Sequence, residues 1–262
     1  MTDWLAVCRA VVLDVQRVLE ELPTRVEREP VVGAGLGGDE TTAIDQAAED
    51  AIVARFRGLD VTIVSEEVGR VGTGSTLVVV DPIDGSVNAK RGIPFFALSL
   101  ALAAGERMDD VFLGFVHDFG TGEEWVAHRN GGAWLNGERL GAIRPKDTID
   151  ILSLEATRSR LIARDAPKVA ELAYRLRVMG SLALSLCHLA AGRVDAVCSL
   201  KGARSVDIAA AQLLVRELGL AIDLFDVREP FGEAPLDLEG RSRVAAAGNE
   251  RLVAQVAAAL SG

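Results

Sequence analysis

The sequence predicts an α+β fold in which mixed sheets and helices stack in layers, and three observations lead there. Apolar residues recur at helical spacing near both ends of the chain. Several short apolar runs follow one another through the middle with no helical pattern between them. In the second half, helical and strand patterns alternate. A pure parallel barrel would alternate throughout, so layered mixed sheets fit better. The 262 residues are 49% hydrophobic and 25% charged, enough for one large core or two fused lobes.

Trp4, Leu5, Cys8, Val11, Val12, Val15, Val18 and Leu19 trace the apolar stripe of a first helix that ends before Pro23. A glycine-rich loop, Val32 to Gly38, follows. Ile44, Ala48, Ile52 and Phe56 then lie one turn apart, giving a helix over Asp45 to Arg57. Val61 to Val64, Thr76 to Val80, Phe95 to Ala103, Val111 to His117 and Glu124 to Ala127 read as strands. Gly131–Gly132 and Asn136–Gly137 mark turns, the second a hairpin signal. Beyond them, Ala166 to Leu176 and Ser181 to Ala191 read as helices, and Val194 to Leu200 as a strand. Ser205 to Leu218 is a helix stopped by Gly219, and Val244 to Ala247 with Arg251 to Leu260 closes the chain as strand and helix. Pro145 and polar neighbours interrupt the pattern between Gly141 and Asp147, which divides the chain into residues 1–143 and 144–262.

A net charge of -10 offers no basic footprint for nucleic acid or anionic lipid. The three cysteines, Cys8, Cys187 and Cys198, are dispersed in apolar patterns, which suits a reducing cytoplasm better than a disulfide framework. The N-terminus lacks the basic and apolar regions of a secretory signal, so none is expected. Ile93 to Ala104, the longest apolar stretch, is shorter than the roughly 20 residues a bilayer span requires, so no membrane association is expected.

The informative segment is Asp81-Pro82-Ile83-Asp84-Gly85-Ser86, directly after an apolar strand. A strand end that delivers two carboxylates into a turn is suited to a site. Gly85 lets the backbone approach a ligand, and the Gly85 and Ser86 amides can face an anion. Carboxylates and a phosphate repel unless a hard cation lies between them, and oxygen-only donors select Mg²⁺ or Mn²⁺. Glu66 and Glu67 follow another strand, while Asp45 and Asp207 stand near helix starts. Taken singly, each has a plainer role: Asp45 and Asp207 favour their helix N-termini, and the glutamates suit a solvated loop.

Together these segments resemble the inositol monophosphatase superfamily. Asp81 to Ser86 resembles its D-P-[IL]-D-G-[ST] signature, Ser65-Glu66-Glu67 its upstream G-E-E element, and Ser205 to Ala210 its downstream W-D-x-A-A element without the tryptophan. Gly131 to Gly137 and Gly180 to Ala196 resemble two further family motifs, in the same order. Gly38 to Thr41 and Asn88 to Phe95 resemble the archaeal-type bifunctional fructose-1,6-bisphosphatase/inositol monophosphatase subgroup, with Glu40 where that group has glycine. The resemblance implies a layered αβαβα sandwich. The first lobe would carry most metal ligands, and the second Asp207 and the substrate contacts.

The resemblance also implies a magnesium-dependent phosphatase for inositol-1-phosphate, fructose-1,6-bisphosphate or both, with Mn²⁺ a substitute ion and a homodimer as the assembly. Glu66, Asp81 and the Ile83 carbonyl would hold one ion; Asp81, Asp84 and Asp207 a second; a third would share Glu66. Asp45 and the Ser86 hydroxyl, with Glu66, would activate the attacking water. Asp84, Gly85, Ser86, Arg177, Leu182 and Lys201 would contact substrate. One alternative is a nucleotide substrate, either 3′-phosphoadenosine-5′-phosphate or NADP, and another is a catalytically silent regulatory protein on the same fold. Gly33-Ala-Gly-Leu-Gly-Gly38 matches a dinucleotide-binding G-x-G-x-x-G, but Arg28 to Val32 before it is charged, broken by Pro30 and too short for a central strand. His117, His128 and His188 lack the paired spacing of metal ligands.

Overall fold

Alternation along one strand decides the layering. Leu77 and Val79 enter one hydrophobic core while Val78 and Val80 enter another. A strand buried on both faces needs cover on both sides. The computed structural model describes residues 2–35, 40–141, 146–156 and 158–261.

Helix α1 (Trp4–Glu21) starts at Asp3, whose carboxylate accepts the Ala6 amide, and buries Cys8, Val11, Val12, Val15 and Val18. Helix α2 (Arg25–Arg28) leads to strands β1 (Val31–Ala34) and β2 (Glu40–Thr42), which pair with each other. Helix α3 (Ala43–Phe56) shares the core of α1. Then come β3 (Val61–Ser65), β4 (Gly69–Gly72), β5 (Thr76–Asp84), helix α4 (Ser86–Arg91) and β6 (Ala97–Ala103). Strands β7 (Val111–Asp118), β8 (Glu124–His128), β9 (Gly132–Leu135) and β10 (Glu138–Arg139) complete an eight-stranded sheet, ordered β10-β9-β8-β7-β6-β5-β3-β4. Its β3–β5 pair is parallel and the others are antiparallel.

The second half supplies β11 (Ile149–Glu155), α5 (Ser159–Val169), β12 (Ala173–Arg177), α6 (Leu182–Ala190) and β13 (Ala196–Ser199). Helices α7 (Ser205–Ile208) and α8 (Ala211–Glu217), strands β14 (Ala221–Leu224) and β15 (Val244–Ala247), and helix α9 (Glu250–Ser261) follow. The five-stranded sheet runs β12-β11-β13-β15-β14. Residues of α6, α7 and α8 form one core with both sheets, including Leu77 and Val79 on one side and Val197 and Ala246 on the other. Helices α1 and α3 cover the outer face of the first sheet, and α5 and α9 that of the second. The layers are therefore α, β, α, β, α, as expected.

The structure redraws several elements. The helix expected over Ala166 to Leu176 is displaced: α5 ends at Val169, and Ala173–Arg177 is an edge strand paired parallel to β11. Ala166, Val169, Ala173 and Leu176 have helical spacing, but the chain turns after Val169 and pairing with β11 wins. The single helix expected from Ser205 to Leu218 breaks at Ala209–Ala210. There the Ala210 carbonyl comes so near Gly114 of β7 that a Cβ on Gly114 would lie 2.3 Å from it. Strand β5 does not stop at Pro82. It pairs with β6 through to Asp84 across an irregularity between Asp81 and Asp84, and a bulge is where a strand tolerates proline. Residues 142–145 and 36–39 lie outside the described residues, so the 143/144 division and most of the glycine-rich motif do too.

Candidate active site

Parallel pairing brings the carboxyl ends of β3 and β5 side by side, with Ser65 opposite Val80. Each strand runs on into acidic residues: Glu66 after β3, Asp81 and Asp84 at the end of β5. The first turns of α3, α4, α6 and α7 bring Asp45, Ser86, Leu182 and Asp207 to the same cavity, of about 750 Å³. Ile83, Gly85 and Lys201 line it as well. Arg177 does not line it. It is exposed at the end of β12, its guanidinium donating to the Leu176 carbonyl, and the next residue, Val178, reaches the cavity instead.

Local geometry fixes each group. The Ile83 amide donates to the Asp81 carboxylate at 3.0 Å, and the Ser86 hydroxyl donates to the Ile83 carbonyl at 2.9 Å, so the bulge and the following turn lock each other. Gly85 has φ 92°, and a Cβ there would lie 3.0 Å from the Phe95 carbonyl oxygen and 3.1 Å from that of Gly180. Both the backbone angle and the space demand glycine. Asp45, in the first turn of α3, accepts the Thr42 hydroxyl at 2.5 Å and the Thr42 amide at 3.2 Å on Oδ2. Its Oδ1 is buried and has no partner among the described residues, and the Lys90 ammonium stands 3.9 Å from Oδ2. Asp84 Oδ2 accepts the Ser181 hydroxyl and the Ala183 amide, which ties it to the start of α6.

Carboxylate oxygens of Glu66, Asp81 and Asp207 all lie within 4.8 Å of one another. Two oxygens on opposite sides of a magnesium ion, each at about 2.1 Å, are about 4.2 Å apart. The donor set is oxygen only and strongly anionic, so it fits a hard divalent cation. The electrostatics agree. Burial raises the Asp81 carboxyl well above the ordinary range, and the charges of Glu66, Asp84 and Asp207 raise it further, against Arg204. Burial and the Asp207 charge push Asp84 up to about 7, against its bonds to Ser181 and Ala183. Burial also raises Glu67, against its bond from the Thr41 hydroxyl. Desolvated carboxylates that repel one another are what a bound cation relieves.

Several participants were not singled out in the sequence. Arg204, 5% exposed, reaches both Glu66 and Asp207. Glu155, at the end of a strand the sequence reading passed over, accepts the hydroxyls of Ser153 and Ser185 and the Gly180 amide. The short apolar run Ile149, Ile151, Leu152 and Leu154 is the signal for that strand. Arg158 and Lys90 add cations to the lining; Lys90 lies within the Asn88 to Phe95 motif, whereas nothing in the sequence around Arg158 marks it.

A family model described as the inositol monophosphatase family matches residues 6–261. The chain belongs to that family. It is 38% identical over 224 residues to the fructose-1,6-bisphosphatase/inositol-1-monophosphatase of Thermococcus kodakarensis, covering 85% of this chain and 83% of the relative. The enzyme of the same description from Archaeoglobus fulgidus is 33% identical over 253 residues, 95% of each chain. A solved inositol monophosphatase-fructose 1,6-bisphosphatase superposes with a TM-score of 0.83 at 26% identity, covering 98% of this chain and all of that one. A Thermotoga maritima inositol monophosphatase gives 0.77 at 26% identity over 99% of both. The family is metal-dependent and acts on small phosphorylated substrates. The protein is accordingly a metal-dependent phosphoric monoester hydrolase of the inositol monophosphatase family.

Proposed function

We propose that the protein is a Mg²⁺-dependent phosphatase that hydrolyses inositol-1-phosphate, fructose-1,6-bisphosphate or both, by direct attack of water. One observation carries this reading: Glu66, Asp81 and Asp207, from three distant segments, converge within 4.8 Å in a cavity that Asp45 and Ser86 also line. Glu66, Asp81, Asp84, Asp207 and the Ile83 carbonyl would hold Mg²⁺, or Mn²⁺ in its place. Such ions neutralise phosphoryl charge, lower the pKa of water and stabilise a leaving oxygen.

The remaining work falls to this chain's own groups. The Gly85 and Ser86 amides bind phosphoryl oxygens and turn phosphorus toward the water. The Ser86 hydroxyl spends its proton on the Ile83 carbonyl, which leaves its oxygen to accept from that water. Asp45 Oδ1, buried and without a partner among the described residues, takes the proton as the water oxygen attacks phosphorus. The P–O ester bond breaks on the opposite side, the departing alkoxide takes a proton from solvent water to give the alcohol, and Asp45 returns its proton to the hydroxide so formed. No covalent enzyme intermediate forms. Lys201 and Arg158 place positive charge on the cavity wall, where a second phosphate of fructose-1,6-bisphosphate would find cationic partners. The reading includes a homodimer in a reducing cytoplasm, in keeping with three buried, unpaired cysteines.

Phosphate release from inositol-1-phosphate, fructose-1,6-bisphosphate, 3′-phosphoadenosine-5′-phosphate and NADP, each with Mg²⁺ and with a chelator, tests this. The expected result is chelator-sensitive release from the first two. Release from the nucleotides alone would replace the substrate assignment, and no release from any would favour a regulatory protein. Light scattering gives the assembly directly.

A further inference from the structure

Arg204 stands where a buried cation is least expected, among the carboxylates that would hold an ion. It is 5% exposed. Its Nη1 donates to Glu66 Oε1 at 2.5 Å and its Nη2 to Asp207 Oδ1 at 3.0 Å. Its backbone amide adds a bond of 2.7 Å to Asp207 Oδ2. Glu66 follows β3 and lies 138 residues from Arg204 in sequence, while Asp207 is in the first turn of α7. Among the described residues, Glu66, Asp81 and Asp207 form the acidic group whose oxygens converge, and Arg204 grips two of the three.

We infer that Arg204 is a positioning residue of the metal centre, whose guanidinium sets Glu66 against Asp207 in the spacing that an ion requires. The inference rests on the metal reading above. Each carboxylate oxygen offers two lone pairs, so Glu66 and Asp207 can accept from the guanidinium and still ligate an ion. Without an ion, two like charges this close repel, and side chains on different segments would swing apart. A planar, permanently charged fork offsets that repulsion and fixes both carboxylates at once, which a single ammonium point charge does not. The backbone bond to Asp207 anchors the fork to the same turn that carries one of its targets. Groups that orient ligands in this way typically account for about 10–100-fold in metal affinity.

Mn²⁺ titration by calorimetry and by electron paramagnetic resonance, on wild type, Arg204→Met and Arg204→Lys, tests the inference without using turnover. Arg204→Met is expected to weaken Mn²⁺ binding by about 10–100-fold, with Arg204→Lys recovering part of the loss. Circular dichroism confirms that the variants fold. If the Met variant does not, Arg204→Lys decides, with weakening of about threefold or more as the expected result. Wild-type affinity in the folded variants would overturn the inference. Tighter binding would also overturn it, and would make the guanidinium a competitor of the ion. Absence of Mn²⁺ binding by the wild type would instead remove the metal reading itself.

Discussion

Asp84 and Ser181 lie 97 residues apart and share a hydrogen bond of 2.6 Å, donated by the serine hydroxyl. The same carboxylate oxygen accepts the Ala183 amide at 2.7 Å. One acid at the end of β5 is thus a proposed ion ligand and also the anchor for the first turn of α6, at the mouth of the cavity. Its two jobs separate by substitution. Asp84→Asn keeps an oxygen for Ser181 and Ala183 but removes the charge. It should lower turnover by at least about 100-fold while leaving thermal stability near wild type. Asp84→Ala also strands a buried amide, which costs about 1–3 kcal/mol, so it should lower Tm as well. Differential scanning calorimetry beside phosphate release distinguishes the pair.

Asp81 carries the heaviest electrostatic load, since burial and three neighbouring carboxylates all disfavour its charge. Asp81→Asn retains the acceptor for the Ile83 amide and removes that repulsion. The ion-free variant is therefore expected to melt above ion-free wild type, and its Tm should no longer rise on adding Mg²⁺. A variant that melts lower without the ion would contradict the repulsion argument.

Ion binding should release protons near neutral pH. Asp84, raised to about 7, holds a proton part of the time when no ion is present, and ligation requires its carboxylate form. Calorimetric titration with Mn²⁺ in buffers of different ionisation enthalpy should show more proton release at about pH 6.5 than at about pH 8.5, where Asp84 is already ionised and Asp81, held well above the ordinary carboxylate range, is the remaining source. Equal heats in all buffers at the lower pH would argue that Asp84 is ionised before the ion arrives.

Glu49 gives a prediction about stability and pH. It is almost fully buried, and its Oε2 accepts the Ser65 hydroxyl. Burial raises its pKa from 4.5 to about 7, against the Ser65 bond and helped by the Glu67 charge. Between those values the folded chain keeps a proton that the unfolded chain has lost. This group's contribution is therefore full below about pH 4.5 and is lost as pH rises through about 7. Glu49→Gln should raise Tm relative to wild type at about pH 8, and the difference should shrink toward about pH 5.

Lys201 and Arg177 were both expected to contact substrate, and the fold treats them differently. Lys201 lines the cavity, whereas Arg177 is exposed beside it. Lys201→Ala is expected to raise KM for fructose-1,6-bisphosphate by about tenfold, a loss typical of one charged hydrogen-bonding partner. Arg177→Ala should stay within about twofold on both substrates. Steady-state kinetics with the two phosphate esters would show an error in either assignment.

The core was legible where burial is one-sided or complete. Helix α1 and strands β6 and β7 follow their apolar patterns closely, because a long periodic stretch has one face that must leave water. Strands β1, β2, β4 and β14 were not, since each is four residues or fewer, too short for a period to show. Residues 166–176 misled because their spacing suits a helix, and pairing with β11 overrode that local preference.

Short segments of the chain already specify the chemistry: which acids are present, the strand end and helix starts that carry them, and the family they belong to. Those are properties of short segments, where periodicity and neighbouring residues are enough. The folded arrangement was needed to show that Arg204 grips Glu66 and Asp207, that Asp84 anchors α6, and that Arg177 stays outside the cavity. Apart from the local pair Arg204 and Asp207, those contacts join residues brought together by layer packing. Their distances follow from how two sheets stack on three shared helices, which no local pattern records.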